Sequence, residues 1–586
     1  MTTGAEVVGR ELRALGIDCA FGVAGTQNAA LLEGFRRAGV RFVPTVSEVG
    51  AAFMANGHHR ASGKVAVLAT VGGPGFTMAL TGVAEALEDS AALLWLSCGR
   101  QTPPGKRFGL QALDEATIAE PLVRAIRTVS RPQGVRPALQ AALKAATSEE
   151  PGPVLLRFEP NALTGNVTEP SGGGPRDGTK SDARGLEPEA TAPPPVDAPA
   201  VDQLAHRLEE ARKPVLLLGQ GAADAAHEIR NLVRRRGAAV VATTSGRGVV
   251  AEDDPRVLSV DGPGRDVETL NAFLDHADLV VALGAKLSEN GSQGFRLRLD
   301  PRRLVRVDQD PRVLEANYPA SLVIQASVPA TVREVERRNP ISGAGSHGWS
   351  VAELDAWRRR LEKAPDPWAG HLKIRHGTPS DLPSFVRRIR DALPRDAVVV
   401  TDSGRHQMVV RRHLTVTAPR SLLIPSDFQS MGFGVPAAVG ARMAMPHRPV
   451  LAVVGDGGLA MTGLELLSAV RAGLTLPVLV FSDGELGLIR DQQVTAWGRE
   501  VGTRTRPFSP KALADAAGAR HRVLRGNLRD AMEGLMEEPG VTVAELPVVR
   551  TSSGRSHGIR ALTRAYGRRI LESGGLRADS KAREER

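Results

Sequence analysis

Short, almost uninterrupted runs of Val, Ile, Leu and Ala alternate with helical patterns along most of this sequence. Examples are KVAVLATV and AALLWLSC near the N-terminus, PVLLLG and ADLVVALG in the middle, and AVVVTD and PVLAVVGDG nearer the C-terminus. Strands that are apolar along their whole length are buried on both faces, as in parallel sheets covered by helices. The alternation therefore predicts an α/β fold of doubly wound parallel sheets.

Two stretches interrupt this alternation and divide the chain. Residues 164–200 are rich in Gly, Pro and charge, which is typical of a flexible linker, and a shorter change of character spans 339–348. A chain of 586 residues also exceeds the usual size of one domain. We predict three consecutive α/β domains and a basic, disordered tail, with the bounds 1–163, 201–338, 349–550 and 551–586.

Composition argues against several classes of function. The net charge is +10, but the arginines are spread along the chain and aromatic residues are only 4%, so nucleic-acid binding is not expected. The N-terminus lacks the apolar core of a signal peptide, and no apolar run is long enough to span a bilayer. Cys19 and Cys98 have no metal-ligand spacing and are expected to be buried thiols. These features predict a cytoplasmic protein without a membrane partner.

A glycine-rich acidic turn follows the strand PVLAVV and consists of Gly455, Asp456, Gly457 and Gly458. Glycines allow a backbone turn to approach a phosphate closely, and the next helix presents its N–H groups to the anion. The neighbouring strand, LPVLVF, ends in Ser482-Asp483-Gly484-Glu485. Asp456 and Asp483 can share one Mg²⁺, with a backbone carbonyl near Glu485 as a third protein ligand. Alone, however, such a turn is equally compatible with an ordinary helix start.

Together with the downstream strand, this turn resembles the signature of thiamine-diphosphate enzymes, which is Gly-Asp-Gly followed by a helix, a strand and Asn-Asn. The resemblance to the acetolactate-synthase-like family extends over most of the chain, and it implies thiamine diphosphate and Mg²⁺ as cofactors. Ser482-Asp483 departs from the family's Asn-Asn. The additional negative charge is expected to weaken cofactor affinity unless a nearby Arg or Lys compensates for it.

Two more segments of the third block resemble cofactor-binding segments of this family. AVVVTDSGRHQM is similar to the loop beside the diphosphate, and SDFQSMGFGVPAAVGARMA is similar to the segment that grips the middle of the cofactor. The residues implied are Gly404, Arg405, His406, Gln407, Met431 and Gly432. Met431 matches the bulky apolar residue that holds the two cofactor rings in a folded V. Without the family context, core filling would explain Met431 equally well.

In the first block, SEVGAAFMANGHHRASGK and VGGPGFTMAL resemble the family's glutamate-bearing helix start and its Gly-Pro-Gly segment. The match assigns Glu48 as the catalytic glutamate, which exchanges a proton with the aminopyrimidine ring of the cofactor. On its own, a Glu at such a junction is usually only a charge that complements the helix dipole. The family also implies a homodimer or homotetramer in which Glu48 and the diphosphate site come from different subunits.

The substrate of this reaction is implied to be a small 2-oxo acid. RFGLQALDEATIAEPLVRAIR resembles the family's Phe-Gln-Glu region, and its Gln111 is the residue expected to bind the intermediate or an acceptor carbonyl. Met78 stands where the family usually has Asn. We expect a carboligase that transfers the acyl carbanion to an acceptor; the alternatives are a simple 2-oxo acid decarboxylase and a non-catalytic binding protein. FAD is not expected in the central domain.

Overall fold

The computed structural model describes residues 2–99, 106–167, 196–258, 266–338, 348–363 and 372–550. They form three α/β domains, each around its own sheet, as predicted. The predicted tail at 551–586 lies outside the described residues, as do most of the predicted linkers at 164–200 and 339–348. None of the helices in the described ranges has the length and apolar character needed to cross a bilayer.

The first sheet has six strands, which are β1 (Cys19–Gly22), β2 (Arg41–Pro44), β3 (Ala66–Val71), β4 (Leu93–Cys98), β5 (Ala125–Val129) and β6 (Pro153–Phe158). Its helices are α1 (Gly4–Ala14), α2 (Ala29–Ala38), α3 (Glu48–Ser62), α4 (Pro74–Glu88), α5 (Glu115–Ala119), α6 (Val135–Thr147) and α7 (Pro160–Thr164). All strands pair in parallel in the order β2-β1-β3-β4-β6-β5. Val67 and Leu68 point into different cores, so helices cover both faces of this sheet.

The middle sheet has five strands, which are β7 (Pro214–Leu218), β8 (Ala239–Ala242), β9 (Leu279–Leu283), β10 (Leu304–Asp308) and β11 (Leu322–Gln325). Its helices are α8 (Ala198–Glu210), α9 (Ala226–Arg236), α10 (Val267–Asp275), α11 (Pro311–Glu315), α12 (Val328–Arg338) and α13 (Val351–Glu362). The strands are parallel in the order β11-β10-β9-β7-β8. This is the nearly continuous apolar sheet that the sequence predicts.

The third sheet is larger and not wholly parallel. Its seven strands are β12 (Leu372–Ile374), β14 (Val398–Thr401), β15 (Leu422–Leu423), β16 (Val450–Gly455), β17 (Leu476–Ser482), β18 (Arg520–Val523) and β20 (Val541–Arg550). A separate two-stranded sheet consists of β13 (Gly377–Thr378) and β19 (Gly526–Asn527). The order is β12-β20-β17-β16-β14-β15, and β18 also pairs with β20. The short strand β12 is antiparallel to β20, which an edge position tolerates.

The helices of this third domain are α14 (Leu382–Ile389), α15 (Arg405–His413), α16 (Gly434–Ala444), α17 (Asp456–Thr462), α18 (Leu466–Arg471), α19 (Gly487–Trp497), α20 (Pro510–Ala517) and α21 (Leu528–Glu537). Short 3₁₀ segments in the described chain are Glu120–Leu122, Pro132–Gly134, Gln220–Ala225, Thr244–Gly246, Arg390–Ala392 and Gly463–Glu465. The strands β14, β16 and β17 end at one edge of the sheet because they are parallel. Side chains that follow them are therefore brought together.

The first and third domains share one apolar core that includes Trp95 and Val454. Helices α3 and α16 cross in close contact within it. A Cβ at Gly57 would lie 2.1 Å from the carbonyl oxygen of Ala437, and a Cβ at Gly440 would lie 1.8 Å from that of Met54. Glycine at both crossing points therefore allows the two backbones to touch. This contact fixes the helix that begins at Glu48 against the third domain.

Helix α13 packs on the middle domain, although the predicted boundary assigns it to the third. The ring of Trp357 contacts the ring of Phe273 on α10 at a centroid distance of 5.7 Å. Trp349 contacts the same Phe273 ring and donates its indole N–H to the Pro214 carbonyl over 3.1 Å. The change in composition at 339–348 precedes these aromatic residues. We propose that the middle domain continues to Glu362.

Candidate active site

Asp456 connects the ends of two neighbouring strands. It is the first residue of α17, directly after β16, and its side chain is buried. One carboxylate oxygen accepts the N–H of Gly484 in the loop after β17 over 2.9 Å, and it also accepts the Thr505 hydroxyl over 2.9 Å. The other oxygen accepts its neighbour Gly457 N–H over 3.0 Å. Burial raises the pKa of Asp456 above its ordinary range. Two of the predicted strand ends therefore meet as expected.

Asp483 has a buried cationic partner. The Arg405 guanidinium lies 3.1 Å from an oxygen of Asp483 and is itself only 5% exposed. Burial raises the pKa of Asp483 to about 6 in spite of the opposing charge of Arg405. This arginine is the compensating charge that the sequence argument requires for an aspartate in this position.

The same arginine has two further acidic partners. Its guanidinium lies 3.3 Å from a carboxylate oxygen of Glu485 and 3.1 Å from one of Asp491. Glu485 also pairs with Arg490 and Arg550, each over 3.2 Å. The Glu485 carboxylate is therefore engaged with arginines, and only its backbone carbonyl stays a candidate metal ligand.

The loop that begins α15 brings unpaired polar atoms to the glycine turn. A Cβ at Gly455 would lie 3.1 Å from the His406 ring Nδ1, and Gly404 has a φ of 144°, which favours glycine. Burial lowers the pKa of His406 to about 4, so its ring is neutral at pH 7. Within the described part of the chain, His406 Nε2 and Gln407 Oε1 are buried without a hydrogen-bond partner. Such atoms are available to a bound ligand.

Met431 lies over the same turn, and Gly432 is hydrogen-bonded to Asp402, which packs against it. The Met431 methyl carbon would lie 3.5 Å from a Cβ at Gly457, and a Cβ at Gly458 would lie 2.3 Å from the Asp402 carboxylate. Asp402 accepts the Gly432 N–H over 2.9 Å and is fully buried, which raises its pKa to about 7. Sequence reasoning missed Asp402. Its signal is its place at the end of the strand AVVVT.

Glu48 is the first residue of α3, and its side chain is half-buried. Ser47 caps the helix by accepting the Gly50 N–H over 3.2 Å. A Cβ at Gly75 would lie 2.8 Å from a Glu48 carboxylate oxygen. The structure therefore brings Glu48 to the Gly-Pro-Gly segment, as the resemblance implies, and the missing side chain of Gly75 leaves room for the carboxylate.

Gln111 reaches the same segment from an exposed loop. It has a φ of 60°, and its side-chain oxygen accepts from the Gln27 amide over 2.6 Å. Gln27 in turn accepts the Gly72 N–H over 2.8 Å. The buried Glu115 accepts the N–H of Gly73 over 2.9 Å. Sequence reasoning missed Gln27, which belongs to no motif quoted above, and Glu115, although Glu115 lies in the segment that resembles the family's Phe-Gln-Glu region.

Both cysteines are free and buried, as expected. In the described residues, one group of three His, Cys, Asp or Glu side chains has its possible ligand atoms within 4.8 Å of one another, and it consists of Asp18, Cys19 and His58. Cys19 Sγ lies 3.4 Å from His58 Nε2, and burial raises the pKa of Cys19 to about 12 while it lowers that of His58 to about 4. This is a neutral thiol–imidazole contact, and Asp456 and Asp483 are not part of it.

A separate cavity of about 360 Å³ opens at the carboxyl ends of the middle strands. Gly219, Gly284 and Asp308 line it, together with Lys286 and Arg420. Arg420 lies 3.0 Å from Asp224, and Lys286 donates to the Glu88 carbonyl over 2.9 Å, so protein groups already engage both cations. The expectation that FAD does not bind here stays a prediction.

Three regions of the chain match described protein families. Residues 2–118 match the thiamine pyrophosphate enzyme N-terminal TPP binding domain, residues 201–335 the central domain of these enzymes, and residues 402–546 their C-terminal TPP binding domain. The N-terminal match contains Glu48, and the C-terminal match contains Asp456.

Curated relatives are similar over nearly the full length. A probable 2-ketoarginine decarboxylase of Pseudomonas aeruginosa is 29% identical over 93% of this chain and 94% of its own. The acetolactate synthase isozyme 2 large subunit of Escherichia coli is 26% identical over 92% of this chain and 94% of its own. A probable acetolactate synthase large subunit of Methanocaldococcus jannaschii is 25% identical over 85% of this chain and 83% of its own.

Proposed function

This chain belongs to the thiamine-diphosphate-dependent enzymes of the acetolactate-synthase-like family and acts on a 2-oxo acid, and on that premise we propose that it decarboxylates this acid and transfers the acyl unit to an acceptor. The observation that carries the proposal is the meeting of Asp456 with the loop after β17, where Asp483 lies. Thiamine diphosphate, when bound, supplies the electron sink on which a 2-oxo acid loses CO₂.

The residues present fit this cofactor. Asp456 and Asp483, with a backbone carbonyl near Glu485, would hold Mg²⁺, and the helix start at Gly457 and Gly458 would receive the diphosphate. Gly404, Gly455 and the buried polar atoms of His406 and Gln407 lie around that turn. Met431, beside Gly432, would support the rings, because its methyl group lies over the glycine turn.

Glu48 and Gln111 would act on the other side of the cofactor. Glu48 would hold a proton at its carboxyl oxygen and exchange it with the aminopyrimidine ring, and its place beside Gly75 supports this role. Gln111 would donate its amide N–H to a substrate or acceptor carbonyl. The Gln27 contact leaves that N–H₂ group free to do so while it fixes the amide oxygen.

We also propose a homodimer or homotetramer with active sites at the subunit interface. Support comes from exposed apolar side chains on the helices beside the site. Met78 on α4 is 51% exposed, Met461 on α17 is 59% exposed, and Leu464 after it is 48% exposed. We infer that these exposed apolar side chains belong to the interface, where a partner subunit would remove them from water. The cytoplasm stays the predicted location.

A carbon-dioxide-release assay over a panel of 2-oxo acids, with thiamine diphosphate and Mg²⁺ present or withheld, tests the proposal. Release should require both, and Asp456→Ala should abolish it together with the joint stabilisation by the two ligands. Product analysis separates the carboligase from a simple decarboxylase, an alternative favoured by the 2-ketoarginine decarboxylase relative. The proposal fails if no 2-oxo acid releases CO₂ in a cofactor-dependent way.

A further inference from the structure

One buried carboxylate of the third domain accepts four hydrogen bonds, and three of them come from the loop before Glu48. Glu465 is 1% exposed and ends the 3₁₀ turn after α17. Its oxygens accept the backbone N–H of Val46 over 3.1 Å, the backbone N–H of Ser47 over 3.0 Å and the Ser47 hydroxyl over 3.0 Å. The fourth bond, from the Ser468 hydroxyl over 2.7 Å, orients the carboxylate from its own domain.

These bonds control where α3 begins. Ser47 is the N-cap of α3 and Glu48 its first residue, so a carboxylate that holds Ser47 by both backbone and side chain also fixes the backbone of Glu48. A Cβ at Gly50 would lie 2.0 Å from the same Glu465 oxygen, so the first turn of α3 is packed directly on it. A carboxylate with two donors on each oxygen has little freedom to rotate.

The contact also joins two parts of the proposed site. Glu465 follows α17, the helix that begins at Asp456, by only three residues of 3₁₀ turn. The chain segment that would bind the diphosphate is thereby tied to the loop that carries the proposed proton-transfer group. These hydrogen bonds lie within one chain, so they are present whether Glu48 contributes to the site of its own subunit or to that of a partner subunit.

We propose that Glu465 is a positioning residue, which sets the orientation of the Glu48 carboxylate from the helix that follows the glycine turn. This inference rests on the proposed function, because it assigns Glu465 a role in the same proton transfer. Glu465 does not itself touch the reacting atoms. A purely structural residue would affect stability alone, whereas a positioning residue acts on the proton transfer through Glu48.

The test uses Glu465→Gln, which keeps the shape but turns an N–H₂ group toward donors. In the full-length enzyme with thiamine diphosphate and Mg²⁺, exchange of the cofactor's C2 proton with deuterated solvent should slow by at least about 10-fold, because small misplacements of a reacting group are costly. Cofactor affinity should stay close to wild type. In the Glu48→Gln background, Glu465→Gln should add no further slowing, since both act through one group.

Glu252→Gln is the matched control. Glu252 is another buried glutamate between domains, and it accepts the Val416 N–H over 2.8 Å and pairs with Arg247. It should lower thermal stability without slowing the exchange. If Glu465→Gln does not fold, Ser468→Ala removes one orienting bond and should slow exchange more mildly. Wild-type exchange rates in Glu465→Gln, or effects that multiply with those of Glu48→Gln, would overturn the inference. Absence of cofactor-dependent exchange in the wild type would instead refute the proposed function.

Discussion

At the scale of single residues, the neighbours of each carboxylate decide what it can do. Asp456 accepts bonds from neutral donors, so its charge stays available to a cation. Asp483 shares Arg405 with Glu485 and Asp491, so part of its charge is already compensated. The arginine allows a second aspartate to stand where the family has an amide, because it offsets the repulsion between two acids and a diphosphate.

This charge balance predicts the behaviour of Asp483→Asn. The variant should keep or modestly improve affinity for thiamine diphosphate with Mg²⁺, because a carboxylate leaves an anion-rich site while Arg405 retains Glu485 and Asp491. Arg405→Gln should weaken affinity, and the double variant should recover most of the loss. Isothermal titration calorimetry measures all three. Complete loss of Mg²⁺-dependent binding in Asp483→Asn would show that the site requires the second carboxylate.

At the scale of elements, Asp308, the last residue of β10, and Asp310, the N-cap of α11, give opposite dependences of stability on pH. Burial raises the pKa of Asp308 to about 6. Burial also acts on Asp310, but hydrogen bonds from Arg312 outweigh it and hold the pKa of Asp310 below its ordinary value. Both carboxyls titrate near pH 4 when the chain is unfolded. The proton on Asp308 therefore stabilises the fold fully below about pH 4, and this contribution is lost as the pH rises to about 6.

Asp308→Asn should accordingly be as stable as wild type near pH 4 and more stable at pH 7, by roughly 3 kcal/mol of unfolding free energy and with a correspondingly higher melting temperature. Asp310→Asn should melt below wild type by nearly the same margin from pH 4 to pH 7, and this margin should shrink only below about pH 4, where the ion pair with Arg312 is lost. Thermal melts of both variants from about pH 2 to pH 7 cover both transitions, because the folded pKa of Asp310 lies below its ordinary value. Parallel curves for the two variants would show that the burial argument is wrong.

Local patterns predict the elements well but not the contacts between them. The apolar runs predict the strands at Ala66–Val71 and Val450–Gly455, and the glycine turn predicts the start of α17. Glu465 and Ser47 are 418 residues apart, and no periodicity or spacing in the sequence relates them. Arg405 was expected near the cofactor, but its pairing with Asp491 depends on the packing of α15 against α19. The boundary at 349 is a prediction from composition, and the packing of Trp349 on Phe273, which composition does not reveal, is the reason that we propose a later one.

At the scale of the whole molecule, the proposed oligomer would complete the proposed site across a subunit interface. The first and third domains, which carry Glu48 and Asp456, share one apolar core. A partner would cover the exposed apolar side chains of α4 and α17. Each subunit would then contribute a proton-transfer group to one site and a diphosphate segment to the other.

Mixing two inactive variants tests this arrangement. Glu48→Gln and Asp456→Ala homodimers should each be inactive, and exchange of subunits should restore about a quarter of wild-type activity, because half of the dimers are mixed and each mixed dimer has one intact site. Analytical ultracentrifugation of differently tagged chains verifies the exchange. Verified exchange without recovery would place Glu48 and Asp456 of one chain in the same site.

The central claim is that Glu48 activates thiamine diphosphate, and the most direct measurement is exchange of the cofactor's C2 proton with deuterated solvent in Glu48→Gln. The amide keeps the size of the side chain but cannot release a proton, so the cofactor should still bind. Exchange should fall by a factor on the order of 10² or more, the effect usual for removal of a general acid–base group. The measurement requires no knowledge of the substrate. Exchange at the wild-type rate would show that Glu48 is only a charge at the start of a helix, and it would contradict the proposed role of Glu48 in proton transfer.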